Sequence, residues 1–176
     1  MCIRDSAQLH RAEGRLDAAE SLNEQALSTC RELEDRESIA IGLLNLAMVA
    51  IVRGDRGRAR ERLLQGMAIA HEIGSRPAGQ SAIDACAGLA AAASQWSRAA
   101  RLFGAADAQS QQTGICRDPA DDAFVQPLLA GVRAALGPDR FVAAERDGRA
   151  LSLERALDEA REWLAQGMPP QPLPAA

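Results

Sequence analysis

Apolar residues return along this chain at helical spacing, and the helical stretches themselves return at a fixed interval. Residues 14–33, 54–73 and 94–113 align without gaps and start 40 residues apart. Small residues recur in register at Ala19, Ala59 and Ala99, and again at Ala26, Gly66 and Ala106. Bulky apolar residues accompany them at Leu22 and Leu27, Leu63 and Met67, and Leu102 and Phe103. The intervening stretches 38–53 and 78–93 align at the same offset. Each period therefore predicts two helices, the first carrying a stripe such as Ile39, Leu43, Leu46, Ala47 and Ala50. Gly14 and Gly54 fall in the tight turn within each pair. Longer links between pairs are expected at Glu34-Asp35-Arg36 and Gly74-Ser75-Arg76-Pro77. Gly66 departs from the pattern, since Ala or a larger residue is expected to pack better there. A helical hairpin cannot bury its apolar face alone, but stacked hairpins share a continuous core. The expected fold is all-α, a right-handed solenoid of about two and a half hairpins with a C-terminal helical cap.

The ends depart from the repeat. Residues 7–13 align with 47–53, the second half of a first helix, so the chain is expected to enter inside a repeat. Residues 1–6 back-translate to a transposon mosaic end used in sequencing libraries and are set apart as an adapter-derived leader. The repeats span residues 7–116 and the cap 117–167. In the cap, Asp118-Pro119 starts a helix that reaches Leu136 and stops at Gly137-Pro138. A short helix then runs from Asp139 to Asp147 and is stopped by Gly148. Ser152 caps a last helix, Leu153 to Ala165, and a proline-rich mobile tail occupies 168–176.

Composition supports the all-helical reading: 37 of the 176 residues are Ala, the best helix former. All 20 basic residues are Arg, and the formal net charge is −4. That charge, with 3% aromatics and no Tyr, argues against direct nucleic-acid contact. The longest apolar run, Ile39 to Val52, is fourteen residues, too short for a span of about 20 residues, so no membrane association is expected. No secretory signal follows Met1, and a cytoplasmic location is expected. Cys2, Cys30, Cys86 and Cys116 form no CxxC pair and read as structural thiols.

Candidate chemistry is sparse. The run Arg53, Arg56, Arg58, Arg60, Arg62 reads as a solvated face, and the Arg53-Gly54-Asp55 tripeptide within it as coincidence. His10 and His71 lie in different repeats with no ligand partners at metal spacing. Asp121 and Asp122 read as helix N-terminal charge rather than an acid–base pair. Trp96 and Trp163 are expected to anchor packing, their indole N–H groups reaching water or a carbonyl. No nucleophile stands in a recognisable catalytic motif, so no catalytic residue, cofactor or metal is assigned. One feature stands out. Helix 38–53 carries a second apolar row, Ile41, Leu44, Met48 and Ile51, matched in the next repeat by the polar or small Ser81, Asp84, Gly88 and Ala91. That row either packs on neighbouring helices or forms a groove for a partner segment, with Ile41, Leu44, Met48, Ile51, Ser81 and Asp84 as its contact residues.

The small residues at fixed places in each second helix resemble the tetratricopeptide family. The longer period resembles more closely the tetratricopeptide-like arrays of MalT-like and LuxR-family bacterial regulators. Arg98-Ala-Ala-Arg-Leu-Phe-Gly-Ala-Ala-Asp-Ala resembles the last repeat of such proteins. Ala134-Ala-Leu-Gly-Pro-Asp-Arg-Phe and Gly148-Arg-Ala-Leu-Ser-Leu-Glu-Arg-Ala-Leu resemble their closing segment. The resemblance covers most of residues 14–165. It implies a sensor or scaffold arm at the C-terminal end of a signalling ATPase or transcriptional regulator. In those proteins the arm is joined to a helix-turn-helix, cyclase or kinase domain. No GxxxxGK[ST] loop is present, nor can one be, since the chain has no Lys. The expected function is protein–protein interaction or regulatory sensing without catalysis. The partner would be a protein, a peptide or upstream domains of the same polypeptide. The alternatives are a free-standing tetratricopeptide-like adaptor and, from another class, an uncharacterised helical enzyme.

Overall fold

A computed structural model describes residues 3–166 of the chain. Met1, Cys2 and residues 167–176, which take in the last residue of the expected cap and the whole tail, lie outside the described residues. Among those described, nine α-helices and no strand occur: α1 Ile3–Ala12, α2 Leu16–Glu32, α3 Arg36–Arg53, α4 Arg56–Ile73, α5 Arg76–Ala92, α6 Trp96–Thr113, α7 Pro119–Leu136, α8 Pro138–Arg149 and α9 Leu153–Ala165. Residues 3–6, read from sequence as a leader, are continuous with α1.

The cadence is finer than the forty-residue repeat suggests. Positive φ angles occur at Gly14, Glu34, Gly54, Gly74, Ser94 and Gly114, one every 20 residues. At the first five, the next N–H reaches back to the carbonyl five residues earlier: Arg15 to His10, Asp35 to Cys30, Asp55 to Ala50, Ser75 to Ala70 and Gln95 to Ala90, all at 2.8–3.0 Å. This left-handed residue satisfies the orphan carbonyls of the ending helix. The residue after it starts the next helix. Asp35, Asp55 and Ser75 accept from the N–H groups of Ser38, Arg58 and Ala78. One helix stops and the next starts within two or three residues. The links expected to be longer are therefore as short as the others. The cadence stops at Gly114, whose N–H bonds only Ser110, and the chain runs without regular structure to Asp118.

Helices pair as α1 with α2, α3 with α4 and α5 with α6, and α2 packs on α3 as α4 packs on α5. The last three helices fold back over this stack. Helix α7 lies on α5, α6 and α1; α8 lies on α6; α9 lies across α4, α5 and α6. Helix α5 is thus enclosed, and from Ala78 to Ala91 only Ser81 escapes full burial. Helix α3 is similar, with Ile41 alone half-buried between Ile39 and Ile51.

The small-residue positions lie where helices meet. Ala19, Ala59, Ala99 and Ala106 are fully buried, with Phe103 beside them. Ala26 is half-buried and lines an open cavity with Ile3 and Arg4. Asn23, not Leu22, holds the buried position equivalent to Leu63 and Phe103. Gly66 is no misfit: a Cβ there would sit 3.0 Å from Leu44 Cδ2 and 3.3 Å from the Ala40 carbonyl oxygen. Gly148 corrects the sequence reading more sharply. It does not stop α8, which continues to Arg149. A Cβ on Gly148 would lie 1.8 Å from the Arg101 carbonyl oxygen, and one on Gly104 would lie 2.3 Å from that of Glu145. Helices α6 and α8 cross backbone to backbone, which only glycine at these two positions permits.

Two opposite substitutions test this account. Gly148→Ala forces rigid backbones apart and should cost about 3 kcal/mol in denaturant unfolding. Ser94→Gly, at a left-handed position beside no glycine-specific contact, should instead gain about 0.5–1 kcal/mol.

Candidate functional site

The face of α1, α3 and α5 gathers most of the buried charge of the described residues. The link after α6 is bound there by its own backbone: Gln80 Nε2 and Ser110 Oγ both donate to the Ile115 carbonyl, at 2.8 and 2.7 Å. Arg117 then turns inward and donates two bonds to the Asp84 carboxylate, at 2.7 and 2.8 Å. Asp118 caps α7 by accepting from Ala120 and Asp121 N–H groups, and accepts from Gln8 Nε2 of α1 at 2.7 Å. One turn on, Asp121 accepts from the Arg11 guanidinium of α1 at 2.6 Å. Arg11 is buried; it also touches the Met48 sulfur and lies over the Phe124 ring, 5.4 Å from its centroid. Phe124 in turn lies against Gly88, where a Cβ would come 2.5 Å from its Cζ.

Two cavities flank this contact. One, of about 250 Å³, is polar and is lined by Arg4, Asp5, Gln8, Ile41, Gln80, Ser81, Asp84, Arg117, Asp118 and Asp121 among others. The other, of about 410 Å³, is mainly apolar, with Ile51, Val52, Ala92, Phe124, Pro127 and Leu128 in its walls and Arg11 at one side.

Burial pushes the Asp84 carboxyl above the usual carboxylate range, and the Arg117 guanidinium pulls it back. Burial also raises Asp121, opposed by Arg11 and reinforced by Asp118. Buried Cys86 is pushed up to about 12, which keeps it a protonated, unreactive thiol at neutral pH.

The expected contact residues divide into two groups. Ile41, Ser81 and Asp84 come together in the wall of the polar cavity. Leu44 and Met48 have no exposed surface (both 0%), and Ile51 is buried at the edge of the apolar cavity. The second apolar row of α3 is therefore no open groove. Leu44 fills the space left by Gly66, and Arg11 closes over Met48. Asp121 is likewise more than helix N-terminal charge, since it anchors α7 to α1.

The arginine run is solvent-exposed at Arg53 and Arg58 and half-buried at Arg56, Arg60 and Arg62, and its side chains are paired. Arg53 pairs with Asp17 and Glu20, Arg58 with Glu20, and Arg62 with Glu24, all on α2. Arg56 and Arg60 donate to the carbonyls of Ala92 and Leu164. Trp163 is buried in the core, as a packing anchor is expected to be, but its indole N–H reaches no carbonyl: it is buried with no partner among the described residues, while the ring faces the Arg98 guanidinium at 5.2 Å. Sequence reasoning missed Arg11, Gln80, Arg117 and Phe124. Their partners lie 33–110 residues away, and only the return of α7 over α1 and α5 brings them together.

No family model matches the chain, and no solved structure matches it. Three curated relatives do. Each is named "Putative HTH-type transcriptional regulator", one from Mycobacterium bovis and two from strains of Mycobacterium tuberculosis. Each is 33% identical over 121 residues, which is 69% of this chain and 14% of the relative. The chain thus spans about a seventh of the length of the relatives it matches. Among the described residues, no helix is long and apolar enough to cross a membrane.

The buried pair yields a pH-dependent prediction. Arg117→Met leaves Asp84 buried without its cation and should cost about 3 kcal/mol at pH 7. A carboxyl with a raised folded pKa binds more protons folded than unfolded. Removing the guanidinium raises that folded pKa further, so the loss should shrink as pH falls from the variant's value toward the parent's. Urea unfolding of both proteins at pH 7 and pH 5 measures this; an equal loss at both would contradict it.

Proposed function

We propose that this chain is a sensor or scaffold arm of a bacterial transcriptional regulator. On this reading it is a stretch of right-handed, tetratricopeptide-like solenoid of the MalT-like, LuxR-family kind. It acts in the cytoplasm by binding a protein, a peptide or neighbouring domains of its own polypeptide. It carries out no chemistry and leaves nucleic-acid contact to other parts of the protein. The observation that carries the reading is the match to three proteins named as HTH-type regulators, of which this chain covers a small part. The hairpins stacked at a fixed 20-residue cadence support the repeat-array reading.

Within that reading, the polar cavity between α1, α3, α5 and the link after α6 is the contact point. Its walls come from five separate elements, since Asp121 of α7 joins them. A ligand or partner group held there would favour one arrangement of those elements over others. That preference is what biases the orientation of attached domains.

The reading makes two measurable claims. In a reporter strain carrying the full regulator, Ser81→Arg fills the cavity and should abolish the effector response without changing protein abundance. An unchanged response would remove the cavity from the mechanism. The isolated chain, at tens of micromolar and low salt, should not retard a DNA duplex, where non-specific binders already bind at about 10⁻⁴–10⁻⁶ M. A salt-sensitive shift would overturn the division of labour.

A further inference from the structure

The forty-residue register makes one helix face stand out. In α3, Leu43 and Val49 are each 2% exposed, and in α5 the equivalent Ile83 and Leu89 are fully buried. Helix α2 packs on that face of α3, with Leu27 and Cys30 joining Ile39, Leu43 and Leu46 in one apolar cluster. Helix α4 repeats the arrangement on α5, where Met67 meets Cys86 at 3.8 Å. In α1, past the stretch read as a leader, the position of Val49 and Leu89 is held by Leu9, which is 48% exposed. The face that is sealed in α3 and α5 is open in α1.

We infer that this α1 face is the stacking surface for one more helix of the α2 and α4 type, the second helix of a hairpin lying N-terminal to α1 in the same polypeptide. The interface geometry argues for this occupant over others. The contact already occurs twice in the molecule, at a constant 40-residue offset, and the α1 face continues that series. The relatives supply the length: this chain matches 14% of each. A helix with small and apolar residues at the positions of Ala19 and Leu27, or Ala59 and Met67, has the chemistry to close it. This deepens the reading of the chain as part of a longer repeat array, and its test is one of stability rather than of regulatory response.

The experiment inserts a copy of residues 7–46 between Ser6 and Ala7. This keeps the period, so that a second copy of α2 precedes the helix carrying Leu9. Leu9→Gln is then compared in the chain as it is and in the extended chain by thermal unfolding. In the chain as it is, the substitution should shift Tm by under about 2 °C, the ordinary result for an exposed site. In the extended chain it should lower Tm by about 5 °C or more, as for a buried leucine. Leu33→Gln, at 72% exposure, should be near neutral in both. Equal small shifts from Leu9→Gln, or an extended chain without cooperative unfolding, would overturn the inference. So would a dimer of the unextended chain, seen by light scattering, that Leu9→Gln dissolves. That result would make a second copy the occupant, while leaving the reporter test of the regulatory reading untouched.

Discussion

Everything in this molecule is arranged around one crowded rod, α5. Helices α3, α4, α6, α7 and α9 all lean on it. A helix with neighbours on every side can carry long side chains on only a few of its faces, because the remaining faces must let other backbones come close. The sequence of α5 obeys this constraint with Ala78, Gly79, Ala82, Ala85, Ala87, Gly88, Ala90 and Ala91. Gly79 admits Leu153 and Leu157 of α9, and Gly88 admits Phe124 of α7. The bulk that fills these contacts is supplied by the surrounding helices, not by the rod. Dispersion and apolar burial are thus gained without lengthening the distance between helix axes.

The same constraint explains how the chain ends its repeats. A periodic stack leaves its last hairpin with an open face. Here α8 covers α6 at glycine contact, and α9 crosses on the side opposite α7. The closing helices are fixed differently on the two sides. On the α9 side the fastening is mainly apolar, through Ala156, Ala160 and Leu164, with the half-buried pair Arg101–Glu159 at its edge. On the α7 side it includes two ion pairs whose acids and bases are substantially buried, Arg11–Asp121 and Arg117–Asp84. Burying such pairs brings little net stability over apolar residues of similar size, but breaking one is expensive. Their effect is to fix register: each needs its partner at hydrogen-bonding distance, so α7 has one seat rather than several.

Much of this was legible in the sequence because it is local. The turn residues, the N-caps and the helix starts at Asp118 and Ser152 are each decided within a few positions, so pattern and chemistry point to the same boundary. The contacts that carry the site are not local. Gly148 reads as a helix stop unless one knows that α6 lies on top of it. Gly66 reads as a packing defect unless Leu44 is seen filling its place. The row Ile41, Leu44, Met48 and Ile51 has helical spacing whether it faces a partner or a neighbouring helix. Periodicity identifies a face but not what covers it, and the cover came from Arg11 and from Gly66.

Position 84 shows where the two kinds of information meet. Its repeat equivalent is Leu44, an apolar side chain packed against glycine with no electrostatic cost. At the next turn of the repeat the chain places a carboxylate in the same enclosed position and must then bring Arg117 from beyond the last repeat to neutralise it. A leucine at 84 would repeat the packing seen at Leu44. The acid does not, and it needs a partner from the one link that breaks the 20-residue cadence. Such a departure from local consistency costs desolvation that the repeat itself never asks for. It falls in the wall of the polar cavity, beside Ser81, where α1, α3, α5 and the link converge. The position that packing alone explains least is also the one that ties the repeats, the link and α7 into a single arrangement.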